Sequence, residues 1–452
     1  MKVKGLVVSL FAIGMMASPL ANATNGYFSH GYGMKAKGMG GAATATASDA
    51  MGGANNPASM VWIGDRLDVG IDWFSPIRSA SRTGSTGGAN DATVESSSNN
   101  FFVPEFGYNH MMGSDMSLGI TVYGNGGMNT DYQGAQLTTA GCGFPGGTAA
   151  VTQNILCGTG SLGMNLEQLI IAPTIAYKFN DAHSVGVSPL FVYQHFASKG
   201  LDAFGGLSSN AAALTNLGHQ SSTGWGVRVG WQGKVSDSVA LGATYSPKIS
   251  MGKFSNYAGL FANQGMFDIP MNWNLGVAIN ATPAVTVAID YEHINYSGVN
   301  SVNNTGISII GAPGTAPCAP IPFGAGTNVG DARCMGGGAG LGFAWSDVNV
   351  IKLGIEYKYD DALTLRGGYN HGTNPIKSGE QTFNIIAPGV VTDHFTLGMT
   401  YELSKGSEVT VAYMHAQEKS VSGPTNPNFP VGGTETIKMY QNSLGIAYGV
   451  KF

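Results

Sequence analysis

The chain has 452 residues, of which 11% are charged and 68 are glycine, and its formal net charge is −5. Ordinary globular proteins carry about 25% charged residues. No apolar run beyond residue 23 reaches the roughly 18 residues of a membrane-crossing helix. The mild acidity argues against a nucleic-acid partner. A chain this poor in charge and rich in glycine and aromatics suits a transmembrane β-barrel, in which only one face of each strand meets lipid. A secreted β-sandwich or β-helix is the alternative that composition leaves open.

Residues 1–23 read as a secretory signal peptide. Lys2 and Lys4 form the basic start, Gly5 to Ala17 the apolar stretch, and Ala21-Asn22-Ala23 the small-residue cleavage site. Losing Lys2 and Lys4 takes the net charge from −5 to −7. Residues 24–65 follow, too rich in Gly and Ala to build a core and without strand alternation. They are expected to fold back into the barrel as a plug, or hatch, with Lys35, Lys37 and Asp49 meeting charges on the wall. Fourteen strands enclose a lumen too wide for lining side chains to fill, so some filling is needed.

Residues 66–452 read as a succession of hairpins. Turn sequences fall at 112–115, 179–182, 235–238, 280–283, 359–362 and 404–406, and looser segments near 77–100, 127–164, 198–221, 250–268, 298–345, 374–391 and 421–435. Six turns and seven loops predict an all-β, 14-stranded antiparallel barrel, with short turns on the periplasmic side and long loops outside. The alternation places Leu67, Val69, Ile71 and Trp73 towards lipid. Val285, Val287, Ile289 and Tyr291 follow suit, as do Ile351, Leu353, Ile355, Tyr357 and Tyr359, and Phe395, Leu397, Met399 and Tyr401. Asp290, Glu292, Lys352, Glu356, Arg366 and Thr396 then face the lumen. The last strand alternates from Leu444 to a terminal Phe452, an ending that resembles the signal read by the barrel assembly machinery.

Four cysteines in an exported chain are expected to pair. Proximity favours Cys142–Cys157 and Cys318–Cys334, each stapling one outer loop, while the other two connectivities stay open. Their spacing is not that of a zinc site.

The stretch NGYFSHGYG, then KGMGGA, SDA and Asn56-Pro57-Ala58, resembles the plug of FadL-type outer-membrane transporters, importers of long-chain fatty acids and aromatic hydrocarbons in Gram-negative bacteria. Val103-Pro104-Glu105-Phe106-Gly107-Tyr108, Gly127-Met128-Asn129-Thr130-Asp131-Tyr132, Leu365-Arg366-Gly367-Gly368-Tyr369 and Val411-Ala412-Tyr413-Met414-His415 extend the likeness over nearly the whole mature chain. The barrel is expected to be a monomer without cofactor or metal. The resemblance implies that a hydrophobic cargo is caught among the outer loops, passes to a pocket beside the start of the plug, and leaves sideways into outer-membrane lipid beneath the lipopolysaccharide. It places the exit at a kink in the third strand, here near Gly124, Asn125, Gly126 and Gly127. Glycines there weaken strand pairing and permit a bulge.

Candidate cargo contacts at the plug's start are Tyr27, Phe28 and Tyr32. In the outer loops they are Leu201, Phe204, Leu207 and Leu214, and Tyr257, Leu260, Phe261, Met266 and Phe267. These loops are too apolar for ordinary solvated connections; they form a binding surface or pack on one another over the barrel mouth. Fatty-acid members of the family hold the carboxylate with basic residues, and the corresponding positions here fall near Ser346 and His195, with Lys199 and Lys352 as the nearest substitutes. A site without a fixed cation favours a neutral cargo such as an aliphatic or aromatic hydrocarbon. A hydrophilic porin is disfavoured by the plug, and an enzyme by scattered histidines with no Gly-x-Ser-x-Gly elbow.

Overall fold

The computed structural model describes residues 25–134, 137, 142, 153–305, 332–426 and 431–452. The expected signal peptide and Cys318 lie outside them.

Among the described residues, fifteen strands form one antiparallel sheet that closes on itself. Fourteen of them build the wall: β1 Arg66–Thr83, β2 Phe101–Met111, β3 Met116–Tyr132, β4 Leu162–Lys178, β5 His183–Lys199, β6 Gln220–Lys234 and β7 Val239–Ser246. They continue as β8 Asn272–Thr282, β9 Val285–Ile294, β10 Val348–Lys358, β11 Leu363–Gly372, β12 Asp393–Ser404, β13 Ser407–Pro424 and β14 Thr434–Lys451. The remaining short strand, Ala92–Glu95, lies in the first outer loop against the upper end of β1. Each strand pairs with its sequence neighbour, and β1 closes the barrel on β14 from Arg66↔Lys451 to Thr83↔Thr434. The chain ends there, with the Phe452 N–H donating to the Asp65 carbonyl at 3.2 Å.

The two faces of the wall follow from side-chain alternation. Leu397 is 66% exposed and Ile355 49%, whereas Asp290 and Thr396, on the opposite face, are 2% and 3% exposed. A continuous apolar outer band around a polar interior suits lipid outside and filled space within. The strands run further than the sequence suggested: the first loop was expected from residue 77, yet β1 continues to Thr83. A buried charge pair carries that extension. Arg82 Nη2 meets Glu435 Oε1 at 2.6 Å from opposite strands, with both side chains fully enclosed.

Residues 25–65 occupy the lumen, and the wall holds them from many sides. Lys37 Nζ lies 2.6 Å from Asp72 of β1, and Lys35 Nζ 2.5 Å from Glu408 of β13. The Ala43 and Thr44 N–H groups donate to Asp290 of β9 at 2.8 and 2.9 Å. Asp49 accepts from its own Met51 N–H at 3.1 Å, and it is Asp68 of the wall that takes the Ala50 N–H at 2.8 Å. Asn56 caps the 3-10 helix Pro57–Trp62: its Oδ1 accepts from the Ala58 N–H at 3.0 Å while proline fills the first position. Its Nδ2 reaches the Trp231 carbonyl of β6 at 3.0 Å. The wall gives room for this contact through Gly230, where a Cβ would lie 2.1 Å from Asn56 Oδ1.

Candidate functional site at a break in the wall

The ladder between β2 and β3 is incomplete. β2 pairs with β1 from Phe101 to Asn109, but with β3 only from Phe106↔Val122 to Met111↔Ser117. Among the described residues, the edge of β3 above Val122 has no barrel strand beside it on that side. Opposite, β1 pairs with β2 up to Phe74 and with the short strand from Ser79, and the Arg78 carbonyl accepts from the Ser96 N–H at 2.9 Å, so among the described residues 75–77 have no strand partner on that side. Pro76 sits in this stretch and has no N–H to leave unpaired.

At the same height β3 bulges. Its register with β4 shifts between Gly124↔Leu169 and Gly126↔Gln168, leaving Asn125 as the extra residue. Asn125 Nδ2 donates to Gln168 Oε1 at 3.0 Å, Gln168 Nε2 to Gln194 Oε1 at 3.2 Å, and Gln194 Nε2 to the Phe267 carbonyl at 3.1 Å. This amide chain satisfies the buried polar groups and fixes the bulge to the interior.

The start of the inner segment lies on the vacated edge. Gly127 N–H donates to the Tyr27 carbonyl at 3.1 Å, and Ser29 N–H to the Asn125 carbonyl at 3.2 Å. Phe28 and Gly126 thereby form a β-bridge. Tyr32 Oη adds a bond to the Asn125 carbonyl at 3.1 Å. The residues singled out at the plug's start and at the strand kink are thus brought together.

Around this junction the side chains are aromatic. Tyr27 has ring centroids 5.4 Å from Phe28, 6.0 Å from Phe267, 5.2 Å from Tyr296 and 6.2 Å from Trp345. Phe261 joins through Phe267 at 4.9 Å. The polar tips are satisfied: Tyr296 Oη donates to the Asn25 carbonyl at 2.7 Å, and Trp345 Nε1 to Asn384 Oδ1 at 2.7 Å. From the outside, the loop after β11 is tied across β3, with Thr130 Oγ1 on the Ile386 carbonyl at 2.7 Å and Tyr132 Oη on the Ile385 carbonyl at 2.8 Å. The wall gap holds a half-open cavity of about 20 Å³ lined by Phe74, Pro76, Arg78, Met128 and Trp345 among others, the room of one water molecule. The site is therefore tightly packed.

The structure bears on several of these expectations. The loop residues Leu201, Phe204, Leu207, Leu214, Tyr257, Leu260, Phe261 and Phe267 are buried and Met266 half-buried, so they pack together over the mouth instead of presenting an exposed apolar patch. His195 does not face the lumen. It continues the outward series of Phe191 and Tyr193 and stacks on His219 at 4.4 Å. Lys199 is also on the outer side, paired with Asp131 at 2.7 Å. Lys352 does point inward, but it is paired with Glu292 at 2.9 Å. A disulfide joins Cys142 to Cys157, with Cα atoms 5.7 Å apart; of the other expected pair, Cys334 is buried and Cys318 lies outside the described residues. Tyr296, Trp345 and Arg78 were not anticipated. Trp345 adjoins Ser346, the position at which a binding lysine was sought, which is the one signal that pointed near it.

Residues 16–448 match the family described as outer membrane protein transport protein (OMPP1/FadL/TodX). No curated protein matches by sequence. The structure is similar to that of the Pseudomonas putida toluene transporter TodX, with a TM-score of 0.63 at 18% identity over 94% of this chain and 99% of that one. It is similar to the Ralstonia pickettii toluene transporter TbuX, with a TM-score of 0.61 at 18% identity over 94% and 99%. A Pseudomonas aeruginosa FadL homologue gives a TM-score of 0.64 at 13% identity over 96% and 100%. At these identities the likeness is one of fold.

Proposed function

This chain belongs to the OMPP1/FadL/TodX family of outer membrane transport proteins, whose match spans residues 16–448, and we propose that it imports hydrophobic molecules by a lateral route through the gap between β1 and β3. The observation that carries this reading is the bonding of the inner segment's first residues to the free edge of β3, by Gly127 N–H to the Tyr27 carbonyl and Ser29 N–H to the Asn125 carbonyl. Residues 25–65 act as the plug. Cargo arriving through the outer loops competes for the aromatic cluster of Tyr27, Phe28, Phe267, Tyr296 and Trp345, and the plug's first residues yield the edge of β3 as it passes.

The driving force is burial. Each methylene moved from water into such a site contributes about 0.8 kcal/mol, so several suffice for micromolar binding without chemistry. The lipopolysaccharide leaflet blocks direct partitioning, whereas an opening in the wall delivers cargo below its polar layer. Long-chain fatty acids and neutral hydrocarbons both meet these requirements. The toluene transporters among the structural neighbours favour the neutral class as the second reading.

Expression in a Gram-negative host lacking its own hydrophobic uptake protein tests the proposal. Restored uptake of a labelled alkylbenzene or long-chain fatty acid, without permeation of a sugar of similar mass, is expected. Sugar permeation with no gain in hydrophobic uptake would identify a diffusion porin instead.

A further inference from the structure

We propose that the upper outer face of β11–β14 is a docking site for the phosphorylated head of an outer-leaflet glycolipid, held by His371, His415, Lys419 and Lys438. The inference concerns the lipid around the barrel and stands apart from the cargo and its route.

A short pattern recurs on the outward face of alternate strands. Tyr291-x-His293 lies on β9, Tyr369-x-His371 on β11 and Tyr413-x-His415 on β13. Each histidine is the ninth residue of its strand. At about 3.3 Å per residue and the usual tilt, that is roughly 20 Å up a lipid-facing band about 25 Å tall. In each unit the residue directly opposite on the next strand, Asn349, Asp393 or Asn442, meets both side chains. Tyr291 Oη and His293 Nδ1 both lie 2.8 Å from Asn349 Oδ1. Tyr369 Oη and His371 Nδ1 lie 2.6 and 2.7 Å from Asp393 Oδ1. Tyr413 Oη and His415 Nδ1 both lie 2.9 Å from Asn442 Oδ1. An ionised carboxylate at this place can only accept, so the ring nitrogen facing it is Nδ1–H and Nε2 is turned away from the strand pair. Among the described residues, Nε2 of His371 and of His415 has no hydrogen-bond partner.

The unit on β9 provides the contrast. There Asp347 Oδ2 already lies 4.0 Å from His293 Nε2, and the Trp273 ring covers the imidazole at 5.7 Å. On β11–β14 cations stand above the histidines instead. β13 bulges between Ala416 and Lys419, Lys419 Nζ lies 3.7 Å from Asp393 Oδ2, and Lys438 Nζ of β14 lies 3.1 Å from Glu418. Both lysines and Glu418 are about half exposed. Exposed pairs of this kind are weak, so a multiply charged anion can take the lysines over. Asp393 is engaged elsewhere, by Tyr369, His371 and Thr392 Oγ1 at 2.6 Å.

Two lysines and two oriented imidazoles thus stand just above Tyr369 and Tyr413. Outward tyrosines mark the level where a leaflet turns from acyl chain to head group. A phosphate at that level accepts from the lysines. Its charge also favours the charged form of an imidazole beside it, and Nε2–H then adds a charge-assisted bond. The acyl chains of the same lipid run down over Leu397 and Ile446, both exposed on this face.

The experiment compares retention of bis-phosphorylated and dephosphorylated lipid A by the delipidated barrel in detergent, read by native mass spectrometry. Asparagine keeps a donor at the place of Nδ1 and removes Nε2. The double variant His371→Asn/His415→Asn therefore deletes the outward contact and spares the cross-strand bonds. We expect the native barrel to hold the phosphorylated form about tenfold more tightly, the size expected of one charge-assisted bond. The double variant should lose most of that preference with its heat-dependent electrophoretic mobility unchanged, whereas His293→Asn should keep it. If the double variant does not fold, Lys419→Met/Lys438→Met makes the same comparison at the exposed rim. A native barrel that does not distinguish the two forms, or a preference that survives in the folded double variant, overturns the proposal. Equal retention of phosphatidylglycerol and phosphorylated lipid A overturns the assignment to a glycolipid.

Discussion

The backbone N–H of Gly127 donates to the carbonyl of Tyr27 at 3.1 Å, and this bond joins the start of the inner segment to a strand edge that the barrel leaves unpaired. Wall continuity at this height depends on a segment that is not part of the wall. On the lateral route proposed above, a molecule that dislodges Tyr27 and Phe28 would open the interior to lipid.

Gly26 sets how closely the tip can seat. Its φ is +68°, and a Cβ there would lie 2.5 Å from Tyr296 Oη. Gly26→Ala should displace the tip, adding about 1–2 kcal/mol of left-handed strain to the steric conflict. Hydrogen exchange at Gly127 and Ser29 should accelerate while barrel mobility on gels is unchanged. Unaltered exchange would contradict the seating.

The Lys37–Asp72 pair, at 2.6 Å, anchors the inner segment to β1, and Ser443 Oγ adds a bond to the same carboxylate at 3.0 Å. Lys37→Met leaves Asp72 buried without its cation, which should cost about 3–5 kcal/mol. Adding Asp72→Leu should recover much of the loss. Denaturant unfolding of the single and double variants measures this, and equal loss in both would show that the pair does not act as a unit.

His30 stacks on His394 at 6.2 Å, and among the described residues the Nε2 atoms of both are unpartnered. Burial above all, then His394, Lys37 and Lys352, hold the His30 pKa well below its ordinary value. The neutral form is favoured when folded, so its contribution is complete above the unfolded pKa of about 6.5 and is lost as pH falls below it. Asp49 has the opposite sign, because burial, then Asp68, pushes it up to about 6 and its cost is relieved on protonation. The informative quantity is the difference between the native chain and His30→Asn. Acidification should loosen the inner segment less in the variant, as read by hydrogen exchange of residues 25–41, and identical pH profiles would contradict this.

The Cys142–Cys157 bridge closes a loop of 15-residue separation in the segment between β3 and β4. A loop of that length is worth about 3 kcal/mol in chain entropy. Cys142→Ser should make this loop protease-sensitive while the wall stays intact. Equal protease resistance with and without the bridge would show that packing alone holds the loop.

The wall was legible because lipid imposes a two-residue period: Ile351, Leu353 and Ile355 leave little choice of face. The inner segment was legible by its lack of that period. Strand ends were less so, since Arg82 and Glu435 read as loop charges until their mutual burial is seen. His195 was misassigned although the period from Phe191 through Tyr193 already set it on the outer face. The aromatic cluster joins Tyr27, Tyr296 and Trp345 from three distant segments, and Arg78 lines a cavity only where β2 fails to pair. Such relationships arise from closure of the barrel and have no local signature.

Deletion of Asn125 tests the lateral route most directly. It removes the extra residue between Gly124 and Gly126 and lets β3 continue in register without reversing its faces. The account predicts a folded barrel in which uptake of both a long-chain fatty acid and an alkylbenzene is abolished. Uptake at the native rate through a folded, straightened β3 would contradict it and place the exit elsewhere.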